Sequence, residues 1–353
     1  MSVGNTRGIA GLTPEMPIAA AVDVVVRARL TAVLERLEQR LDGDDHIDGV
    51  HQLRVTSRRC VAALDVLKTW LSKSERRKLV KHLDRLRRRC GKARDADVQT
   101  RFLDELVEQP GHDTEELAGL SWLRKRSSRR CRKARKKLRR QLPWLANRIR
   151  QSSDKLIDSL FESSPVAPRQ DSRVSPETPL ILGVECRETF GIPVAERQGY
   201  KSSNAKTPLA EVVRGILSAE LTSIRHDTLW DQAAPDKLHR LRIACKRLRY
   251  VLEIFFPVLP VIWHEEAIPH IQRLQELLGV IQDGIVGSER CAREESRFRR
   301  RLACGRAETA DGPTPQVLRA FSLVQAEYAA RVRQAHAEFL DLWRHFCEGL
   351  PAL

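Results

Sequence analysis

Over most of this chain apolar residues recur every three or four positions, the period of an α-helix with one buried face. Val22, Val26, Val33, Leu37 and Leu41 predict a first helix over residues 22–41. A second stripe, Leu53, Cys60, Leu64, Leu67 and Leu71, predicts a helix ending near Leu71, and a third helix starts at Ser74 or Glu75. Gly91 is expected to interrupt or kink that third helix, and Pro143 to bend or break a long pattern running from about Glu115 to Leu160. The same order resumes near Pro208 and continues through Trp343, with a break at Asp311–Pro315, and its second helix carries Leu241, Leu248, Leu252, Phe255 and Leu259. Residues 1–17 read as a loose lead-in. Residues 163–207 hold most of a run of six prolines ending at Pro208, several serines and no helical stripe, and read as a linker or insertion. Within it the apolar run Leu180–Val184 is compatible with an isolated strand or with docking on the bundle.

The repetition extends to the polar residues. His51, Arg54, Arg58 and Arg59 recur 188 residues later as His239, Arg242, Lys246 and Arg247. The segment Gly91-Lys-Ala-Arg-Asp95 recurs at the same offset as Gly279-Val-Ile-Gln-Asp283. Two motifs in one register imply duplicated halves, 18–162 and 208–350. At helical spacing His51, Arg54 and Arg58 share a side, as do His239, Arg242 and Lys246, opposite the apolar stripe. Asp48 and Asp236, each three residues before the histidine, are expected to cap their helices and place both histidines in a first turn.

The duplicated His-x-x-Arg-x-x-x-(Arg/Lys)-Arg helix, followed about forty residues later by Gly-x-x-x-Asp, resembles the CHAD family, the conserved histidine α-helical domain. The resemblance covers roughly residues 18–350. It implies an all-α fold of two duplicated four-helix-bundle halves with pseudo-twofold symmetry around a basic cavity or groove. It also implies binding of inorganic polyphosphate, with association to polyphosphate granules in some bacteria. This chain departs from the family pattern in its first half, where Val61 stands opposite Arg249, and in its second, where Gln282 replaces the arginine of Arg94-Asp95. The halves are therefore expected to contribute unequally.

Composition narrows the partner. The chain has 353 residues, 42 % hydrophobic and only 5 % aromatic, which suits a helical bundle. With 62 Lys and Arg its formal net charge is +16, pointing to a polyanion without naming one. Eight cysteines contain no C-x-x-C pair, so neither a disulfide framework nor a zinc site is expected. Asp42–Asp48 lacks the glutamate that completes a calcium loop and reads as a turn with a cap. No secretory signal or membrane-inserting stretch is evident, and the expected location is cytoplasmic, with polyphosphate granules as the more specific address.

The candidate polyphosphate ligands are His51, Arg54, Arg58, Arg59, His239, Arg242, Lys246, Arg247 and Arg249, joined by Arg85, Arg88 and Arg89 before Asp95. Arg124–Arg140 adds twelve Lys or Arg in seventeen residues without an acid, and within it Arg129, Lys133 and Lys137 form one row. Guanidinium groups donate paired bonds to phosphate oxygens while ammonium groups act as point charges, so these rows suit a phosphate polymer. For Arg297, Arg299, Arg300 and Arg301 a solvent-facing role weighs as heavily as a binding one. Asp95 and Asp283 are expected to orient arginines or cap helices rather than act as bases, and the tryptophans to pack rather than stack on a ligand. Nucleic-acid backbone binding is the alternative, although aromatics are scarce and no recognised nucleic-acid motif occurs. A catalytic part in phosphate-polymer metabolism is the third class. Against it, no Walker loop, HExxH or acidic triad occurs, nor does the Glu-x-Glu-x-Lys strand of CYTH triphosphatases, to which CHAD domains can be fused. The expectation is a binding module with no enzymatic activity and no cofactor.

Overall fold

Long helices that each bury one stripe can satisfy it only against other helices. Among the described residues eight do so: α1 (Ile18–Glu38), α2 (His46–Val66), α3 (Lys73–Glu108), α4 (Thr114–Glu162), α5 (Leu209–Arg225), α6 (Pro235–Phe255), α7 (Ile268–Ala303) and α8 (Thr314–Glu348). This computed structural model describes residues 8–39, 46–162, 204–225, 235–304 and 314–348, among which there is no strand. The fold is all-α, as the sequence implies. The Leu180–Val184 run and the Asp42–Asp45 turn lie outside the described residues. No described helix is long and apolar enough to cross a membrane.

All ten residues of the paired α2 and α6 stripes are buried. A fully buried leucine contributes about 1.5–3 kcal/mol, so these stripes fix which side of each helix meets its neighbours. α2 packs between α1 and α3, α6 between α5 and α7, and α2 touches α6 directly. α3 lies along α4 and α7 along α8 as two long hairpins, and α4 meets α8.

The apolar contacts do not divide by half. One large core takes side chains from all eight helices, from Val25 and Leu30 of α1 to Phe339 and Trp343 of α8. A second core joins the far ends of the two hairpins, with Phe102 and Leu106, Leu120 and Leu123, Phe298, and Phe321 and Tyr328. There Phe102 and Tyr328 stack at 4.1 Å. Along α3 a polar step separates the two: buried Asp97 accepts from Arg135 Nη2 at 2.6 Å, and Thr100 bonds Ser127 across to α4 at 2.9 Å.

Several boundaries differ from the sequence reading. α2 begins at His46 and α6 at Pro235, so Asp48 and Asp236 lie inside their helices and His51 falls in the second turn. α3 runs unbroken through Gly91, α7 through Gly279, and α4 through Pro143. The α4 start is fixed by a reciprocal capping box: Asp113 Oδ1 accepts from the Glu116 amide at 2.8 Å, and Glu116 Oε2 from the Asp113 amide at 3.2 Å. The lead-in is not wholly loose, since Ile9 and Leu12 are buried in the large core. The residues that lead into α5 are held on the start of α1: the Ile18 amide donates to Thr207 O at 3.0 Å and the Leu209 amide to Met16 O at 2.8 Å.

Gly119 of α4 lies directly against the Gln316 carbonyl and Ala320 of α8, so a β-carbon there would collide with backbone. Nothing lies within 4 Å of the equivalent position at Gly279. Alanine should therefore act with opposite sign at two helical glycines. Gly119→Ala is expected to lose about 1–3 kcal/mol from overpacking, and Gly279→Ala to gain about 0.5–1 kcal/mol from helix propensity. Thermal melts of both variants check this, and a shift of the same sign in both would contradict the close α4/α8 approach.

Candidate functional site

Because α2 and α6 touch, their polar faces are brought to one place. Between them lies a cavity of about 150 Å³ lined by Arg58 of α2, Arg242, Lys246 and Arg249 of α6, and Gln275 and Glu276 of α7. Both copies of the basic motif thus reach one hollow. Glu276 is its one acid, and that carboxylate also meets Arg273 at 3.3 Å.

The site is braced from below by a buried carboxylate. Glu253 Oε2 accepts from Arg59 Nε at 2.8 Å and its Oε1 from Arg249 Nε at 2.7 Å, tying α2 to α6. Burial alone would push this carboxyl up, but Arg59 and Arg249 outweigh it and hold it below the ordinary glutamate range. Arg249 Nη1 also donates to Gln275 Oε1 at 3.1 Å, so its guanidinium is held on two sides. Arg58 lies over the Tyr250 ring at 5.8 Å. Its pKa is lowered, first by burial and then by neighbouring Arg54, Arg249 and Arg87, with Tyr250 acting in the opposite sense. Arg29 of α1 is lowered likewise, by burial and by Arg59.

Arg58 Nε, Tyr250 Oη and Gln275 Nε2 are buried without a hydrogen-bond partner among the described residues, and a buried donor left unpaired costs about 1–3 kcal/mol.

The glycine-aspartate motif serves the same region. A β-carbon on Gly91 would come within 2.7 Å of Arg54 Nη1, so this glycine makes room for a guanidinium rather than breaking the helix. Arg54 Nη1 stands 3.8 Å from Asp95 Oδ1, and Asp95 Oδ2 is 3.8 Å from Arg290 Nη2. Asp95 therefore pairs with arginines from both halves. In the second half His239 Nδ1 donates to Gln282 Oε1 at 2.8 Å. Arg94, the counterpart of Gln282, only donates and cannot accept such a bond. Asp283 is exposed.

The remaining candidates separate. Arg58, Arg242, Lys246 and Arg249 line the cavity, with Arg54 beside Gly91. Arg59 is engaged by Glu253, and Arg247 is turned away to an ion pair with Glu220 of α5. Arg85 lies over Trp144, 5.8 Å from its centroid, and Arg88 is exposed. Arg129, Lys133 and Lys137 are exposed along α4. Trp144 departs from the expectation of packing, being 49 % exposed and flanked also by Arg148.

Sequence reasoning passed over Arg87, Arg29, Tyr250, Glu253 and Gln275. Arg87 pairs with Asp84 at 2.9 Å and lies within electrostatic reach of Arg58. Its signal was present: it precedes Gly91 by four residues and falls at the 188 offset from Gln275, which places both on the face turned to the motif helices. Among the described residues no group of His, Cys, Asp or Glu is placed to hold a metal ion.

Residues of the two basic motif helices thus converge on one cation-lined hollow within an all-helical frame. Comparison with known proteins identifies the family. The CHAD domain family model matches residues 25–292, and the chain belongs to that family. Among solved structures it is similar to the CHAD domain from the plant Ricinus communis, with TM-score 0.63 and 19 % identity over 98 % of this chain and 96 % of that one. It is also similar to PptA from Streptomyces chartreusis, with TM-score 0.58 and 14 % identity over 93 % of this chain and 100 % of that one. At these identities the two structures establish a shared fold. No curated protein sequence matches the chain.

Proposed function

We propose that this protein binds inorganic polyphosphate without chemically altering it, and that the α2/α6 cavity is the principal contact. The observation that carries the proposal is the convergence of Arg58, Arg242, Lys246 and Arg249, drawn from both motif copies, on one hollow. A flexible, unbranched polyanion can lay successive phosphates into such a hollow, whereas a nucleic-acid duplex is too thick to enter it. Family membership supports the same reading. The non-catalytic part is supported by the acids near the cavity: Glu253 is committed to two arginines, and Glu276 also meets Arg273. Neither is placed as an uncommitted general base. Recruitment to polyphosphate granules in the cytoplasm follows from this binding.

A competition titration at near-physiological salt tests the proposal, with long-chain polyphosphate and a DNA duplex matched for total phosphate. Polyphosphate is expected to bind at least tenfold more tightly, with no orthophosphate released in the presence of Mg²⁺. Equal affinity would favour nucleic-acid backbone binding, and metal-dependent phosphate release would replace a binding module with an enzyme.

A further inference from the structure

A second set of cations is built where α4 passes α7, away from the cavity. Arg126 and Arg130 stand one turn apart on α4. Arg290, Arg297 and Arg301 recur at helical spacing on one side of α7. Arg130 ion-pairs across the two helices with Glu294, which is buried. The four other arginines surround this pair closely enough that, together with burial as the larger cause, they push the Arg130 guanidinium down to about 10.

Two of the five are held by rings. Arg126 lies 5.3 Å over Trp122 and Arg301 6.0 Å over Phe298. The two rings meet edge to face at 5.3 Å, so the guanidiniums flank one rigid aromatic pair. A ring beneath a guanidinium supports its face while leaving the N–H groups, which lie in the guanidinium's own plane, free to meet phosphate oxygens. An apolar side chain on Trp122 would supply the same packing without like-charge repulsion, so packing does not account for these charges. Other acids on α7 are directed elsewhere, Glu289 to Arg293 and Glu295 to Arg299.

The two basic regions are connected. Asp95 stands between Arg54, one turn from Arg58 on α2, and Arg290, with both contacts at 3.8 Å. Such long, half-exposed pairs are weak, and an anionic chain passing both arginines competes readily with the carboxylate. From Arg290 to Arg301 the α7 backbone covers about 16 Å, more than a single phosphate can span.

We infer that Arg126, Arg130, Arg290, Arg297 and Arg301 form a second anion-binding site, which takes a further stretch of the polyphosphate chain seated in the α2/α6 cavity. The inference rests on the polyphosphate reading and adds a consequence: long chains are held at two points and short ones at one. Calorimetric titration of the full chain with tripolyphosphate and with long-chain polyphosphate tests it. Arg126→Gln/Arg297→Gln is expected to weaken long-chain binding roughly tenfold and to leave tripolyphosphate affinity unchanged, because a linked second contact acts only where the ligand spans both sites. Exposed Arg297→Gln alone, expected to give a smaller loss of the same selectivity, serves if the double variant folds poorly. Equal losses for both ligands, no loss for the long chain, or no tripolyphosphate binding to the wild type would overturn the two-point grip. Failure of the wild type to bind long-chain polyphosphate would remove the functional reading itself.

Discussion

Arg242→Ala/Lys246→Ala is expected to weaken long-chain polyphosphate binding by roughly 100-fold, since each charge-assisted hydrogen bond contributes about 1.5 kcal/mol or more and two are removed. Both residues line the cavity, while the Glu253 brace is carried by Arg59 and Arg249. The substitutions therefore subtract ligands while leaving that brace intact. Lys73→Ala/Arg77→Ala, an equal change of net charge at two exposed positions on α3, is the control and is expected to cost only a few-fold. Salt dependence supplies an independent readout. Loss of two phosphate contacts should flatten the plot of log affinity against log salt by about 1.4–1.8 units, whereas the control should leave its slope nearly unchanged. Equal losses in both double variants would reduce the cavity to diffuse attraction.

The largest effect on stability is expected at Glu253. Its removal in Glu253→Ala leaves Arg59 and Arg249 without their shared carboxylate, beside Arg29 and Arg58, whose guanidiniums are already disfavoured by burial. Breaking a buried pair costs about 3–5 kcal/mol, and because both partner arginines retain some solvent contact we expect roughly 2–4 kcal/mol. Urea unfolding at neutral pH measures it. The pH dependence has a definite sign. A carboxyl whose native pKa is depressed contributes stability that is fully present above its unfolded value of about 4.3 and is lost as pH falls through the native value. The stability difference between wild type and variant should therefore shrink on acidification below that range. A difference that stays constant down to strongly acidic pH would rule out the ionised Glu253 bridge.

What the sequence made legible follows from what its patterns encode. The paired stripes of α2 and α6 were readable because an amphipathic helix in a bundle must repeat at its own period. Two motif copies in one register marked both helices as cation donors, and residues of both line the α2/α6 cavity. Gly91 misled because glycine breaks helices as an isolated residue, while here it admits the Arg54 side chain without disturbing α3. Within runs of cations the sequence gives number but not facing. Each residue turns the helix by 100°, so Arg87 faces the site while Arg88 is exposed. In the Arg124–Arg140 run it is Arg124, Arg130 and Arg135 that pair with acids on other helices, rather than the row of Arg129, Lys133 and Lys137. Glu253 was hidden for a different reason: its bond to Arg59 is fixed by an α2/α6 contact between residues nearly two hundred positions apart.

The backbone bonds joining the start of α1 to the residues that open α5 bear on which changes that junction tolerates. Ile18 is tied to Thr207 and Leu209 to Met16 through main-chain groups alone. Such bonds need only an N–H at the donor position, so most side-chain replacements at these four residues leave them in place, whereas Leu209→Pro removes a donor. The way α5 starts against α1 is thus written in the backbone, and side chains at the junction can change while the basic hollow keeps its geometry.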